Sequence, residues 1–235
     1  MSNTPEKVER AIVGINHGVT AMTEYRHGRP TLITGTGRSG TTALARCFLN
    51  SPGVEFVTSD ESKGSTLEHP LGKMINEREA NGAAGALEDI ERGVARDFVF
   101  KYPRFDFLTG QYDDEFPNRL EGCNLIVMTR DPVLVAAREC TISSKLSFST
   151  HWKSCIHQSA VALRGIEKLT QSMGVLIVSY EKLITIPLLV ADDINAWFGS
   201  EKLTKDGVNG SISPNNVHYL ERQALGRIMD ANSPK

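Results

Sequence analysis

Residues 31–48, TLITGTGRSGTTALARCF, leave few folds open to this chain. The β-branched run TLIT leads into Gly35, Gly40 follows, and a segment with helical spacing starts at Thr41. Strand, glycine-rich turn and helix, in that order, bring several backbone N–H groups and the positive end of a helix dipole to one point, where an anion is favoured. A plain glycine turn is the competing reading, and the strand before it and the helix after it count against that. A Walker A loop, GxxxxGK followed by Ser or Thr, has the same glycine spacing, but its lysine reaches the β- and γ-phosphates and the next hydroxyl holds magnesium. Here Thr41 stands in the lysine's place, and Arg38 is the cation the loop offers. No later strand ends in an unambiguous magnesium-binding aspartate. The loop therefore suits a transferable group less charged than a γ-phosphate.

Four further β-rich runs, VEFV (54–57), DFVFK (97–101), NLIVMT (124–129) and VLIVS (175–179), follow along the chain. They alternate with segments of helical spacing that start near Thr41, Leu71, Pro132, His151, Leu188 and Asn215. That alternation predicts an α/β fold, a three-layer sandwich with a mainly parallel sheet of about five strands. A chain of 235 residues is long enough for one such domain and short for two, so residues 1–235 are read as a single domain. The polar stretches 58–72 and 142–153 lack a clear period and are expected to be loops at a substrate mouth.

The formal net charge of −2 gives no overall basic field, so no nucleic-acid partner is expected and any anion site must be local. Cys47, Cys123, Cys140 and Cys155 show no CxxC or Cys/His ligand spacing, which points to reduced thiols with no disulfide framework and no zinc site. The first residues do not resemble a signal peptide, and no stretch approaches the roughly 18 apolar residues of a membrane span. A cytoplasmic protein with no membrane insertion is the expectation.

A second anion site is written in NLIVMTRDPVLVAAREC (124–140). The apolar run ends on Arg130, while Asp131 and Pro132 have the types expected of an N-cap and a first helical turn. A guanidinium at the end of a strand offers a planar fork for phosphate, against the plainer reading of a surface ion pair with Asp131 or another acid.

GTGRSGTT (35–42) resembles the 5'-phosphosulfate loop of sulfotransferases that use 3'-phosphoadenosine-5'-phosphosulfate (PAPS), in the arginine-bearing form of protein-tyrosine, carbohydrate and bacterial members. The resemblance implies a P-loop-type fold in which Arg38, Ser39, Gly40, Thr41 and Thr42 surround the 5'-phosphate and sulfuryl group. The strand ending in R-D-P is similar to the family's 3'-phosphate motif and implies that role for Arg130. The family usually has a serine eight residues after that arginine, where this chain has Arg138, which either adds a second charge to the same phosphate or leaves that contact to a hydroxyl of TISS (141–144). YEKL (180–183) resembles the family's Y-E-D-L, which would set Tyr180 near the adenine and 3'-phosphate. Cytosolic steroid and phenol enzymes stack a tryptophan on adenine after the paired threonines; Ala43 occupies that position here. The likeness spans residues 31–199 and does not cover the C-terminal remainder.

Sulfuryl transfer needs a cation on the transferring group and a base for the acceptor's proton. Lys101 in FVFKYPRF, with Arg38, is the expected cation, since K-x-P resembles the family segment whose lysine contacts the sulfuryl group; Arg104 is a nearby substitute. Glu61, or Asp60 beside it, is the expected base, because the protein-tyrosine type has paired acids after its second strand. His69 and His151 compete for that role. The donor would be PAPS and the product 3'-phosphoadenosine 5'-phosphate (PAP), no metal being required, with a small-molecule, carbohydrate or peptide acceptor carrying a hydroxyl or amine. Two alternatives stay open: an ATP- and magnesium-dependent small-molecule kinase with a variant loop, and a nucleotide-binding module without catalysis.

Overall fold

The computed structural model describes residues 14–36, 38–59, 67–70, 72, 97–103, 120, 122–142 and 146–212. A single sheet runs through them: β1 (Gly14–Asn16), β2 (Val19–Ala21), β3 (Thr31–Gly35), β4 (Phe56–Val57), β5 (Val99–Lys101), β6 (Asn124–Thr129) and β7 (Val175–Ser179). Its order is β1-β2-β7-β6-β3-β5-β4. The pairs β4/β5, β5/β3, β3/β6 and β6/β7 are parallel, so the five expected strands form one parallel block. The α/β class expected from the alternation is what the chain adopts.

The strand count is the correction. Seven strands are present in place of about five, because β1 and β2 form a hairpin that pairs antiparallel with β7. His17 (φ 42°) and Gly18 (φ 85°) make its two-residue turn with both central residues at positive φ, the geometry that matches strand twist. Strands of three residues are too short to show a period, which is why the pattern did not reveal them.

Side chains alternate across the central strands and divide the core in two. Ile33, Ile126, Met128, Leu176 and Val178 face α1 (Thr41–Leu49), along with buried residues of α5 (Pro187–Phe198) and α6 (Lys205–Ser211). Leu32, Leu125, Val127 and Val175 face α3 (Phe148–Leu169) through Ala162, Ile166 and Leu169. Helix α2 (Pro132–Ile142) packs on α3, and α4 (Tyr180–Thr185) follows β7 directly. Layers of helix, sheet and helix result.

Helix α1 leaves β3 toward one face while α2 and α3 leave β6 for the other, so the two connections diverge at the carboxyl ends of adjacent strands. That divergence is the place where open α/β sheets have a crevice. Helix α3 starts at Phe148, earlier than the expected His151, because Ser147 is extended (ψ 124°) and its carbonyl accepts from the amides of Thr150 and His151 at 3.2 and 2.9 Å. Residues 148–153 are accordingly helix where a loop was expected. The helices expected from Leu71 and Asn215 lie outside the described residues. Among the described residues no helix is long and apolar enough to cross a membrane.

Candidate functional site: an anion cradle between two strand ends

Two glycines let the loop after β3 close on its neighbours. Gly35 is paired with Met128 in the sheet, and a Cβ on it would stand 2.3 Å from Ser39 Oγ and 2.5 Å from the Met128 carbonyl. Gly40 has φ 90° and would bring a Cβ to 2.0 Å from the Tyr180 ring. Arg38, between them, adopts a left-handed φ of 61° and is exposed. Such a conformation costs a non-glycine residue on the order of 1 kcal/mol, and such costs collect at sites where backbone geometry serves a ligand.

The loop is held inward by short bonds. The Ser39 amide donates to the Thr36 carbonyl at 3.1 Å, and the Ala43 amide to the Gly40 carbonyl at 2.9 Å. Gly40 caps α1 without a side chain, and the N–H groups of Thr41 and Thr42, which precede the first carbonyl-to-amide bond of the helix, are left at the loop. Ser39 is buried at 1% exposure, and its Oγ has no hydrogen-bond partner. Thr41 is buried and Thr42 half-buried at the same turn.

Arg130, at the end of β6, closes the opposite wall. Its Nη1 donates to the Arg38 carbonyl at 3.1 Å, and its guanidinium lies 4.7 Å from the centroid of the Tyr180 ring that also covers Gly40. Its Nε is buried without a hydrogen-bond partner; the Glu181 carboxylate stands 3.9 Å away. Buried polar atoms are nearly always partnered, which makes Ser39 Oγ and Arg130 Nε, with Thr34 Oγ1 at the end of β3, candidate contacts for an acceptor ligand. Burial, opposed by the Tyr180 and Glu181 charges and reinforced by Arg138, holds the Arg130 pKa below its ordinary value, though a guanidinium remains charged at any physiological pH.

Both carboxylates near Arg130 are already engaged. Asp131 Oδ1 accepts from the amides of Val133 and Leu134 at 2.7 and 3.4 Å, the expected N-cap of α2. Glu181 accepts from the Asp131 amide at 3.1 Å and from Ser179 Oγ at 3.2 Å, which ties the ends of β6 and β7 together. Sequence reasoning gave Glu181 no role; the available signal was an acid immediately following a strand end and its aromatic. Burial pushes the Tyr180 hydroxyl's pKa up, against the pull of Arg130 and Arg138, so the hydroxyl stays a donor at neutral pH. Arg138, half-buried on α2, therefore lies within electrostatic reach of Arg130 and Tyr180.

Lys101 is on the other side of β3, paired with Ile33 in the sheet. Its side chain is 2% exposed, with Nζ 3.8 Å from Glu68 Oε1. The His69 amide donates to the Lys101 carbonyl at 3.0 Å, and burial lowers the His69 pKa. The segment bearing Glu68 and His69 thus runs along the end of β5; Glu68 is a second residue sequence reasoning passed over. Glu61, Asp60 and Arg104 lie outside the described residues. His151 is remote from this segment in partners, bonded instead to Glu139 on α2.

A cavity of about 310 Å³ opens beside the cradle, with Thr36, Thr129, Arg130 and Ser159 among mainly apolar walls from β6, β7 and α3. A larger one, about 410 Å³, is lined by Tyr25, Asp193 and Trp197 and shares no residue with the loop. Its size does not make it the site, because no convergent anion donors face it.

No family model matches the chain, and no curated protein matches its sequence. Among solved structures it is similar to the sulfotransferase from Alicyclobacillus acidocaldarius, with 17% identity over 84% of this chain and 93% of that one and a TM-score of 0.49. It is also similar to the sulfotransferase domain of the Synechococcus PCC 7002 olefin synthase, with 17% identity, 83% and 84% coverage and a TM-score of 0.45. Shikimate kinase from Bacteroides thetaiotaomicron is similar as well, with 15% identity, 73% and 98% coverage and a TM-score of 0.41. At such identities the likeness is one of fold.

Proposed function

We propose that the chain is a sulfotransferase that uses PAPS and passes its sulfuryl group to a hydroxyl or amine of a small-molecule, carbohydrate or peptide acceptor. The observation that carries this reading is the pair of buried, unpartnered donors, Ser39 Oγ in a loop without lysine and Arg130 Nε across from it. They support two phosphate positions on one donor, which suits a 3',5'-bisphosphate better than a triphosphate. Residues 38–42 would hold the 5' end and Arg130, with Arg138 and Tyr180, the 3'-phosphate. The apolar cavity beside Arg130 fits a flat ring.

In the reaction the acceptor oxygen or nitrogen attacks sulfur, the bond from sulfur to the bridging phosphate oxygen breaks, and PAP leaves with that electron pair. Lys101 and Arg38 would neutralise the charge growing on the bridging oxygen. Glu61 would take the acceptor's proton. His69, placed beside Lys101 and kept neutral by burial, is the alternative base among the described residues.

Calorimetric titration of PAP against AMP tests the reading, since the two differ by the 3'-phosphate. Wild type is expected to bind PAP at least about tenfold more tightly, from the roughly 1.5–3 kcal/mol of a charge-assisted contact, and Arg130→Ala to erase the preference while leaving AMP affinity within about threefold. Equal affinities in wild type would remove the proposal's support. Magnesium-dependent turnover of ATP would favour the kinase, and tight PAP binding without transfer to any acceptor would favour a binding module.

A further inference from the structure

Away from the loop, helices α2 and α3 bring together three side chains that the mechanism does not use. Glu139 lies on α2, while His151 and Cys155 are four residues apart on one face of α3. His151 Nε2 is 2.5 Å from Glu139 Oε2 and 3.6 Å from Cys155 Sγ. The three ligand atoms all lie within 4.8 Å of one another. Cys155 is buried at 3% exposure, and the side chains of His151 and Glu139 are 18% and 29% exposed.

Both contacts fall on the same ring nitrogen. A proton on Nε2 serves either the carboxylate or the sulfur, and a bare Nε2 that accepts from the thiol leaves its lone pair facing the carboxylate. A triad for nucleophilic catalysis has a different form, with the acid on one ring nitrogen and the nucleophile on the other. Three electron-pair donors of different chemistry within 4.8 Å of one another are an arrangement that can hold a cation.

We propose that Glu139, His151 and Cys155 bind a zinc ion that clips α2 to the first turns of α3. Tetrahedral zinc, with bonds of about 2.0–2.1 Å to nitrogen and about 2.3 Å to sulfur, sets those two ligand atoms about 3.5–3.6 Å apart, which is the spacing found here. The carboxylate needs to draw back from the nitrogen by under about 1 Å, a rotamer adjustment for a partly exposed glutamate. Thiolate, imidazole and carboxylate together select zinc over magnesium or calcium, which take oxygen ligands. One thiolate and one carboxylate also neutralise a dication, so the half-buried cluster would carry no net charge. The fourth position is left for water. The expectation of no zinc site came from the absence of CxxC spacing; the ligands here are joined by helix packing, and only the H-x-x-x-C pair is local in sequence.

The test uses the full chain, stripped with chelator and titrated with zinc against a chromophoric competitor, then with cobalt(II). Wild type should take up one equivalent of zinc at submicromolar concentration, and its cobalt form should show a near-ultraviolet thiolate charge-transfer band with intense tetrahedral visible bands. Cys155→Ala should abolish the charge-transfer band. Glu139→Gln, on the exposed side of the cluster and harmless to packing, should weaken zinc at least about tenfold. Zinc should also raise the wild-type melting temperature by mass action and, at the same zinc concentration, raise that of each variant by less. Absence of stoichiometric uptake in wild type, or uptake unchanged in both variants, overturns the proposal. Neither result bears on PAP binding, so the two proposals fail separately.

Discussion

Arg130 and Lys101 end the two strands that flank β3, and their side chains are only 6% and 2% exposed, yet their surroundings differ in kind. Arg130 is fixed from several directions: the Arg38 carbonyl, the Tyr180 face and the Glu181 carboxylate. Its Nε donor is buried without an acceptor, while both nearby carboxylates are engaged by backbone amides. Lys101 instead faces Glu68 at ion-pair distance, with the neutral-leaning His69 on the same segment. A planar fork locked in place suits a charge that is always present, such as a phosphate. A point charge on a flexible stem, beside a carboxylate, suits charge that appears as a bond breaks. On the function proposed above, the β6 side binds the donor and the β5 side serves the transfer.

The sharpest way to break that contrast is Lys101→Met, which keeps the buried volume and removes the charge. Steady-state PAP release from PAPS, measured with whichever phenol, sugar or peptide the wild type accepts, should fall about 10²–10³-fold, the usual cost of losing one transition-state charge contact. PAP affinity should stay within about threefold. A large loss of affinity with turnover intact would reverse the assignment of the two sides. Arg130→Lys probes the other side with a smaller effect: charge is retained and the fork is lost, so PAP affinity should drop about tenfold and the preference over AMP shrink without vanishing. Full retention would mean that position, not geometry, is what Arg130 contributes.

The two sides were also unequally legible in the sequence. Arg130 announces itself because an apolar run, an arginine and an Asp-Pro helix start are contiguous, and the N-cap bonds of Asp131 follow from those residue types. The central parallel strands were legible for the same reason, since strands buried on both faces read as unbroken β-branched runs. Glu181 and Glu68 were not, because their parts depend on which strand ends become neighbours, a consequence of sheet order that no local spacing encodes. The β1–β2 hairpin escaped through brevity, and the Glu139–His151–Cys155 cluster through its dependence on the packing of two helices. Residues adjacent in sequence reveal their chemistry early; those joined by topology do so only once the fold is known.

The smallest expected effect concerns His69 and sharpens the β5 side through its pH dependence. Burial holds the His69 pKa below the ordinary value of 6.5 in the folded chain. As pH falls through about 6.5, the unfolded chain takes up the proton first, so folding stability declines until the lower, folded pKa is passed. At pH 8 the ring is neutral in both states and this contribution is absent. His69→Gln should therefore narrow the stability gap between pH 8 and pH 5 relative to wild type, as read by urea unfolding at both values, with little change at pH 8. The same variant tests the proton acceptor. If His69 takes the acceptor's proton, turnover in wild type should hold down to below pH 6.5 and then fall on an acid limb that disappears, along with most of the rate, in His69→Gln. If Glu61 is the base, His69→Gln should leave the rate and its acid limb nearly unchanged, while Glu61→Gln removes both and PAP affinity survives in each variant.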